Sequence, residues 1–468
     1  MNFKNLFLSS LFLLGMMATA QDLLPKDDDW TIVPHLHWRL RYDVQSDEAK
    51  DPTGHKMSGG KHKYGPHPSQ YFDSRTKAWI NGASKSLGMD FRIMLANRSM
   101  YYLTDWEEKN NYGTTHFSAP DSLYFYELYA NFTKLGIEGL SIKLGRQTIT
   151  LGNGLIIRDG VSSLWPTYFN GAVMTYVEGS NTLKAIALYD YWRDPFAVNL
   201  RWDREDYPNG RGRAVNPGNI TTLALYDTYE LAKPFNFDVY YVYNHVVADR
   251  NGRRDKKLPN DWDDLCMHTV GTRLFGDITP VWGYSAEFAQ QLGQWEKNDN
   301  ESPMQGRMCD LRLAWKIGRA FESDWAKSTN PVWSFSYTNW TGDKNGTDRY
   351  EGWYSLQSYF NGLFGDELSN RGGVPCGSMW TNLQAFHTDL KFKPLSKLTV
   401  TGGSTYFRAN EFANGRNVGV VIYGVTNYQI TKRLSVKTIL SHMFYGDYYG
   451  ANRNDGGFWG RVELNYYW

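Results

Sequence analysis

The chain has 468 residues, a formal net charge of +1 and an aromatic content of 16%, with 18 Trp and 32 Tyr. The near-zero charge excludes a global field that would attract a nucleic acid, and no nucleic-acid partner is expected. After the first 20 residues no apolar run is long enough for a transmembrane helix. The aromatic excess is typical of membrane β-barrels, which use such residues in two interfacial girdles.

Residues 1–20 predict a secretory signal peptide. Lys4 supplies the positive charge, residues 6–17 form the apolar segment, and Ala18-Thr19-Ala20 is a cleavage site. A membrane-anchor helix is the alternative, but the apolar run is too short to span a bilayer. We therefore expect a barrel domain over 21–468.

Strand candidates fill the rest of the chain. The first, 33–42, places Leu36 and Trp38 on one face and Arg39 and Arg41 on the other. Seventeen more are predicted at 72–82, 88–98, 123–133, 139–147, 168–178, 182–191, 219–230, 236–247, 266–275, 282–292, 307–316, 331–339, 380–392, 397–407, 417–429, 433–443 and 458–468.

Short and long connections alternate between these strands. The short ones are 83–87, 134–138, 179–181, 231–235, 276–281, 393–396 and 430–432. Outer-membrane barrels have short periplasmic turns and long external loops, which matches this alternation. The connection at 317–330 is long where a turn is expected, so it either folds into the pore mouth or contains further structure.

The last strand, 458–468, alternates in the same way. Val462 and Leu464 share one face with the terminal Trp468, while Arg461 and Glu463 lie on the other. One face suits lipid and the other water, as in the closing strand of a barrel. The predicted fold is all-β: a transmembrane antiparallel barrel of about 18 strands, in the outer membrane of a Gram-negative-type bacterium.

The motif GRQTITLG at 145–152 is followed by Arg158, Trp165 and FNG at 169–171. This order resembles the GRQ…G…R…W…FDG core of the alginate-export porin family, with Asn170 where an Asp is usual. Shorter similarities occur at 127–130, 336–343, 382–384 and 442–447. The resemblance implies an eighteen-stranded barrel with an arginine-lined lumen that exports an anionic polysaccharide. Because relatives move other solutes, a general or substrate-specific uptake porin with no polysaccharide role stays open.

Parity and the resemblance together predict a set of pore-lining and substrate-binding cations. They are Arg39, Arg41, Arg75, Lys77, Arg92, Arg98, Lys143, Arg146, Arg158 and Arg461. A wall of Arg and Lys attracts anions, and Arg can hold a carboxylate bidentately. Parity would turn Arg146 toward lipid unless the strand bulges at Gly145 or the residue lies near the rim.

The alternative is that the lumen charges pair with one another and are structural. The carboxylates available for pairing are Asp90, Glu127, Glu287, Asp310, Asp389 and Glu463. The sequence alone leaves both interpretations open.

Loop residues offer two weaker sites. Trp340, Trp353 and Tyr354 could stack on sugar rings, although barrel packing explains such residues equally well. The segment 343–348 has oxygen ligands for loop calcium, but it lacks the spacing of an EF-hand loop. No other cofactor is expected.

The remaining motifs limit the function. Cys266, Cys309 and Cys376 fit no zinc pattern; a bridge from Cys376 to either of the others is one option, and unpaired structural cysteines are the other. No nucleotide-binding or hydrolase motif occurs, so a channel is favoured over a barrel enzyme or a secreted lectin. The expected partners are membrane lipid and lipopolysaccharide, a small-molecule or polysaccharide solute, and the barrel-assembly machinery.

Overall fold

The structure, a computed structural model, describes twelve ranges of the chain. They are residues 29–45, 69–102, 122–159, 168–190, 197–200, 219–247, 264–297, 300–344, 346–356, 381–411, 415–448 and 456–468. The proposed signal peptide, Trp165 and Cys376 lie outside the described residues.

The described residues form twenty strands and two short helices. The strands are β1 (Trp30–Gln45), β2 (Ser69–Ser84), β3 (Met89–Tyr102), β4 (Ser122–Phe132), β5 (Leu140–Gln147), β6 (Phe169–Glu178), β7 (Asn181–Asp190), β8 (Ala197–Leu200), β9 (Asn219–Ala232), β10 (Phe235–Val247), β11 (Leu265–Thr279), β12 (Trp282–Lys297), β13 (Asn300–Met304), β14 (Arg307–Trp315), β15 (Val332–Trp340), β16 (Leu383–Leu395), β17 (Leu398–Ala409), β18 (Asn417–Gln429), β19 (Leu434–Tyr445) and β20 (Gly457–Tyr467). The helices are α1 (Ile317–Ala320) and α2 (Asp324–Thr329).

Eighteen of the strands close an antiparallel barrel, in which each pairs with its neighbours along the chain. The two short strands extend the wall: β8 pairs with β4, and β13 with β12. The ring closes where β20 pairs with β1, with Arg41 opposite Glu463 and Asp43 opposite Arg461. Reciprocal backbone hydrogen bonds of 3.0 and 2.9 Å also join Leu36 to Trp468. The predicted fold class and all eighteen predicted strands are thus confirmed.

The two ends of the barrel differ as the connection lengths predict. Tight turns join the strands at the end of the barrel where β1 begins and β20 ends. The long connections lie at the other end. The exception at 317–330 contains α1 and α2, which pack against β15 and β16. The ring centroids of Phe321 and Trp315 are 6.2 Å apart on the outer face of the barrel. This connection therefore contains structure that the sequence did not predict, and its aromatic ring turns outward.

The outer face exposes large apolar side chains in every part of the ring. Examples are Leu225, Val239, Leu311, Ile422 and Leu440, each about half exposed. Their neighbours in sequence point inward and are buried, which is the period-two pattern of a strand between lipid and a lumen. Within the described residues, no helix is both long and apolar enough to cross a membrane.

Candidate functional site

Strand parity directs charged side chains into the lumen, and within the described residues two groups of them form separate walls. The first wall comprises the lumen faces of β20, β1 and β2 and is termed the closure wall. Arg41 contacts Asp43 (Nε–Oδ2 3.1 Å) and Asp73 (Nη2–Oδ2 2.8 Å), and all three side chains are fully buried. Arg461 also binds Asp43, through Nε and Nη2 at 2.8 Å each. These ion pairs join the first, second and last strands where the barrel closes.

Other cations of the closure wall are less closely matched. Arg39 is buried, and its Nη1 lies 3.9 Å from Oε2 of Glu463. In the ladder Arg39 faces Arg75 directly, and like charges in such positions are destabilising. The ammonium of Lys77 lies 3.6 Å from the ring centroid of Tyr126, a cation–π contact. An anion near these residues would lower their mutual repulsion.

The net charge of the side chains on the closure wall is therefore positive. Its lumen faces carry five cations and three carboxylates: Arg39, Arg41, Arg75, Lys77 and Arg461, against Asp43, Asp73 and Glu463. The structure brings five of the ten predicted cations together here.

Next to the closure wall, Arg92 forms an ion pair with a carboxylate. Its Nη1 lies 2.9 Å from Glu127 Oε2, and its Nε donates to Asn81 at 2.8 Å. Lys143, on β5, lies with its Nζ 4.7 Å from the ring centroid of Tyr129. The side chain of Arg98 lies outside the described residues.

Arg146 points into the barrel, against simple parity. Its guanidinium carbon lies 3.9 Å from the ring centroid of Tyr168, and Nε donates to Asn170 at 2.9 Å. The preceding Gly145 has φ +119°, which rotates the strand without a shift in register. An added Cβ at Gly145 would also collide with the carbonyl oxygen of Leu128.

The second wall, termed the acidic wall, is a hydrogen-bonded cluster on β10, β11, β12 and β14. Arg273 Nε lies 2.6 Å from Asp238, and Arg312 Nε lies 2.7 Å from Asp310. A third carboxylate, Glu287, accepts a hydrogen bond of 2.9 Å from the Tyr240 hydroxyl. Three carboxylates thus meet two arginines, the reverse of the balance on the closure wall.

Residues 148–159, termed the lumen loop, run between these walls. Thr148 donates to Glu127 on β4 at 2.8 Å. Farther along, Asn153 Nδ2 donates to Ser285 (3.0 Å) and Asp310 (3.3 Å), and its Oδ1 accepts from Arg273 at 3.0 Å. Because β4 lies far around the ring from β11, β12 and β14, these bonds hold the loop across the lumen.

Apolar packing holds the same loop in place. Ile149, Leu151, Leu155 and Ile157 are all buried in one cluster with inward-facing side chains of the barrel. Arg158 follows them and is partly buried, and this burial lowers its pKa while Asp159 partly offsets the effect. The lumen loop therefore narrows the barrel and carries a predicted cation into it.

The weaker predicted sites receive less support. Trp340, Trp353 and Tyr354 are each at most 5% exposed, so they are packing residues and not an open sugar platform. Cys266 and Cys309 are free thiols. Among the described residues, no group of three or more His, Cys, Asp or Glu side chains is placed to hold a metal.

One arrangement in the described lumen has the form of a nucleophile, a base and an acid. His387 Nδ1 lies 2.8 Å from the Thr405 hydroxyl, and its Nε2 lies 2.9 Å from Asp389. Thr405 is completely buried, so a substrate cannot reach its hydroxyl. These contacts are structural.

Comparison with known proteins leaves the family open and shows the fold. No family model and no curated protein matches the chain. Among solved structures, OccAB2 of Acinetobacter baumannii has 11% identity and a TM-score of 0.55, covering 93% of this chain and 98% of that one. OccK5 (OpdH) of Pseudomonas aeruginosa has 12% identity and a TM-score of 0.54, with 93% and 97% covered. A BenF-like porin from Pseudomonas fluorescens Pf-5 has 11% identity and a TM-score of 0.54, with 93% and 98% covered. The fold is thus that of an eighteen-stranded outer-membrane porin.

Proposed function

We propose that the chain is a substrate-specific channel of the outer membrane, which passes small hydrophilic solutes along their gradient and prefers anions. The observation that carries this proposal is the excess of cations on the closure wall, which has five cations and three carboxylates. This wall lies beside a loop that crosses the lumen. The similarity in fold to a BenF-like porin supports the channel part of the proposal.

Selectivity follows from the lumen loop in this proposal. A solute that passes the loop must move between the positive closure wall and the carboxylates of the acidic wall. Charged rings and constrictions of this kind set which ions and solutes enter a pore. A low-dielectric wall strengthens each charge relative to bulk water.

Liposome swelling tests the proposal with solutes of similar size and different charge. We expect proteoliposomes to admit glucuronate faster than glucose, and glucose faster than glucosamine. Equal rates for all three would support an unselective pore, and a preference for glucosamine would contradict the proposal.

Export of an anionic polysaccharide is the second candidate, favoured by the resemblance at 145–152 and 169–171. The first segment includes the end of β5 and the start of the lumen loop, and the second begins β6, so both bear on passage through the barrel. An oligouronate added to a planar bilayer separates the two functions. Voltage-driven passage of the oligomer favours export, whereas passage of the monomer alone favours the small-solute channel.

A further inference from the structure

The turns at the periplasmic end form two arcs of different charge. Three neighbouring turns, which join β14 to β15, β16 to β17 and β18 to β19, form the arc termed the basic rim. These turns, with the last three residues of the strands that lead into them, expose six cations and two carboxylates: Arg319, Lys327, Lys393, Lys397, Lys432 and Arg433, with Glu322 and Asp324. In the described part of the chain, none of these six cations lies in an ion pair; Lys397 only donates to the backbone oxygen of Ile430.

The opposite arc exposes equal numbers of positive and negative side chains. Counted with the strand ends in the same way, the turns that join β2 to β3, β4 to β5, β6 to β7 and β9 to β10 expose three cations and three carboxylates: Lys85, Lys134 and Lys233, with Glu138, Glu178 and Glu230. The surplus of positive charge is therefore local to the basic rim and does not reflect the barrel end as a whole.

Aromatic side chains connect the basic rim to the lipid-facing wall. The rings of Trp282 and Trp315 stack on the outer face with centroids 5.6 Å apart, and Phe321 lies 6.2 Å beyond Trp315. Phe321 is 52% exposed and Trp325, on α2, is 60% exposed. Exposed aromatic residues beside a lipid-facing surface are typical of a membrane–water interface, where their rings sit at the headgroup level.

We propose that the basic rim binds the phosphate headgroups of anionic phospholipids in the periplasmic leaflet. The inference rests on the proposed placement in the outer membrane. Lys and Arg attract anionic lipid when they lie beside the membrane surface, and phosphate oxygens accept strong charge-assisted hydrogen bonds from them. Phe321 and Trp325 would lie among the upper acyl chains and hold the cations at headgroup depth.

Native mass spectrometry tests the proposal with the full-length protein in mixed micelles of equal phosphatidylcholine and phosphatidylglycerol. The variant Lys393→Gln/Lys432→Gln/Arg433→Gln removes three cations from the basic rim. The matched control, Lys85→Gln/Lys134→Gln/Lys233→Gln, removes three from the opposite arc. We expect wild type and control to retain several-fold more phosphatidylglycerol than phosphatidylcholine, and the rim variant to retain the two lipids nearly equally.

Equal retention of both lipids by the wild type, or an equal loss of preference in both variants, would overturn the proposal. Gel mobility with and without boiling, together with channel conductance, is measured on the same samples. A protein that does not insert contradicts the proposed membrane placement; one that inserts and conducts without lipid preference contradicts only the basic rim. The change Phe321→Ser/Trp325→Ser should lower retention of both lipids and leave their ratio unchanged.

Discussion

The closure wall and the acidic wall are built from the same residue types, but their ion pairs hold different parts of the barrel. On the closure wall, buried ion pairs centred on Asp43 join β1, β2 and β20, and cations are left in excess. On the acidic wall, carboxylates are in excess, and Asp310 and Arg273 hold Asn153 of the lumen loop. The first wall therefore joins the strands that close the barrel and carries an excess of cations, while the second anchors the lumen loop.

The largest expected effect comes from Asp43→Asn. This change removes the carboxylate that Arg41 and Arg461 share, both of which are buried. Breaking a buried ion pair typically costs about 3–5 kcal/mol, because a charge is left in a low-dielectric site. Unfolding by denaturant from lipid vesicles measures this cost. The control Asp348→Asn, in an exposed pair with Arg349, should change the free energy of unfolding by less than about 0.5 kcal/mol.

If Asp43→Asn were no more destabilising than Asp348→Asn, the closure wall would not hold the first and last strands together.

The second effect concerns the constriction. Asn153→Ala removes three side-chain hydrogen bonds between the lumen loop and the acidic wall. At about 0.5–1.5 kcal/mol for each bond, we expect the loop to be loosened by about 2–3 kcal/mol. Single-channel recording should then show a higher mean conductance and more current noise. The control is Thr150→Ala, which loses two bonds to Asp159 within the loop and none to the acidic wall.

An Asn153→Ala channel with wild-type conductance and noise would mean that apolar packing alone holds the lumen loop.

The sequence predicted the strands that form these two walls, but not all of the ion pairs within them. Period-two alternation and alternating connection lengths were sufficient for all eighteen strands, because each strand has one face in lipid. Asp73 becomes a partner of Arg41 only through the register between β1 and β2, which parity does not give. Asp43 lies two residues further along the same face of β1, so its spacing from Arg41 was a signal in the sequence. The pairing of Asp238 with Arg273 across β10 and β11 depends on register, as that of Asp73 does.

Local geometry explains the inward course of Arg146, which parity alone would misplace, and of the lumen loop, which was not predicted from the sequence. Arg146 turns inward because Gly145 takes a positive φ, which no parity rule includes. The inward course of the lumen loop had a signal in Ile149, Leu151, Leu155 and Ile157, since four aliphatic residues are unusual in an exposed external loop. The helices α1 and α2 are too short to show a helical period in sequence.

The smallest expected effect on stability is that of Glu287→Gln on the acidic wall. The Gln oxygen can still accept the hydrogen bond from Tyr240, so the free energy of unfolding should change by about 1 kcal/mol or less. Because an ionisable carboxyl group leaves the lumen, the reversal potential should move slightly toward anion selectivity. An unchanged reversal potential would show that Glu287 does not contribute to the field in the pore, and a move toward cation selectivity would contradict the expected sign.

We expect the two excess cations of the closure wall to set the anion preference of the channel. The variant Arg39→Gln/Lys77→Gln brings its cations from five to three, equal to its carboxylates. The control Lys134→Gln/Lys233→Gln removes two exposed positive charges that lie outside both the lumen and the basic rim.

The reversal potential across a planar bilayer with a KCl gradient tests this most directly. We expect wild type and control to be anion-selective and the double variant to lose most of that preference. The difference should be larger at 0.1 M than at 1 M salt, because the screening length falls from about 10 Å to about 3 Å. A cation-selective wild type, or a double variant with unchanged selectivity at 0.1 M, would contradict the claim.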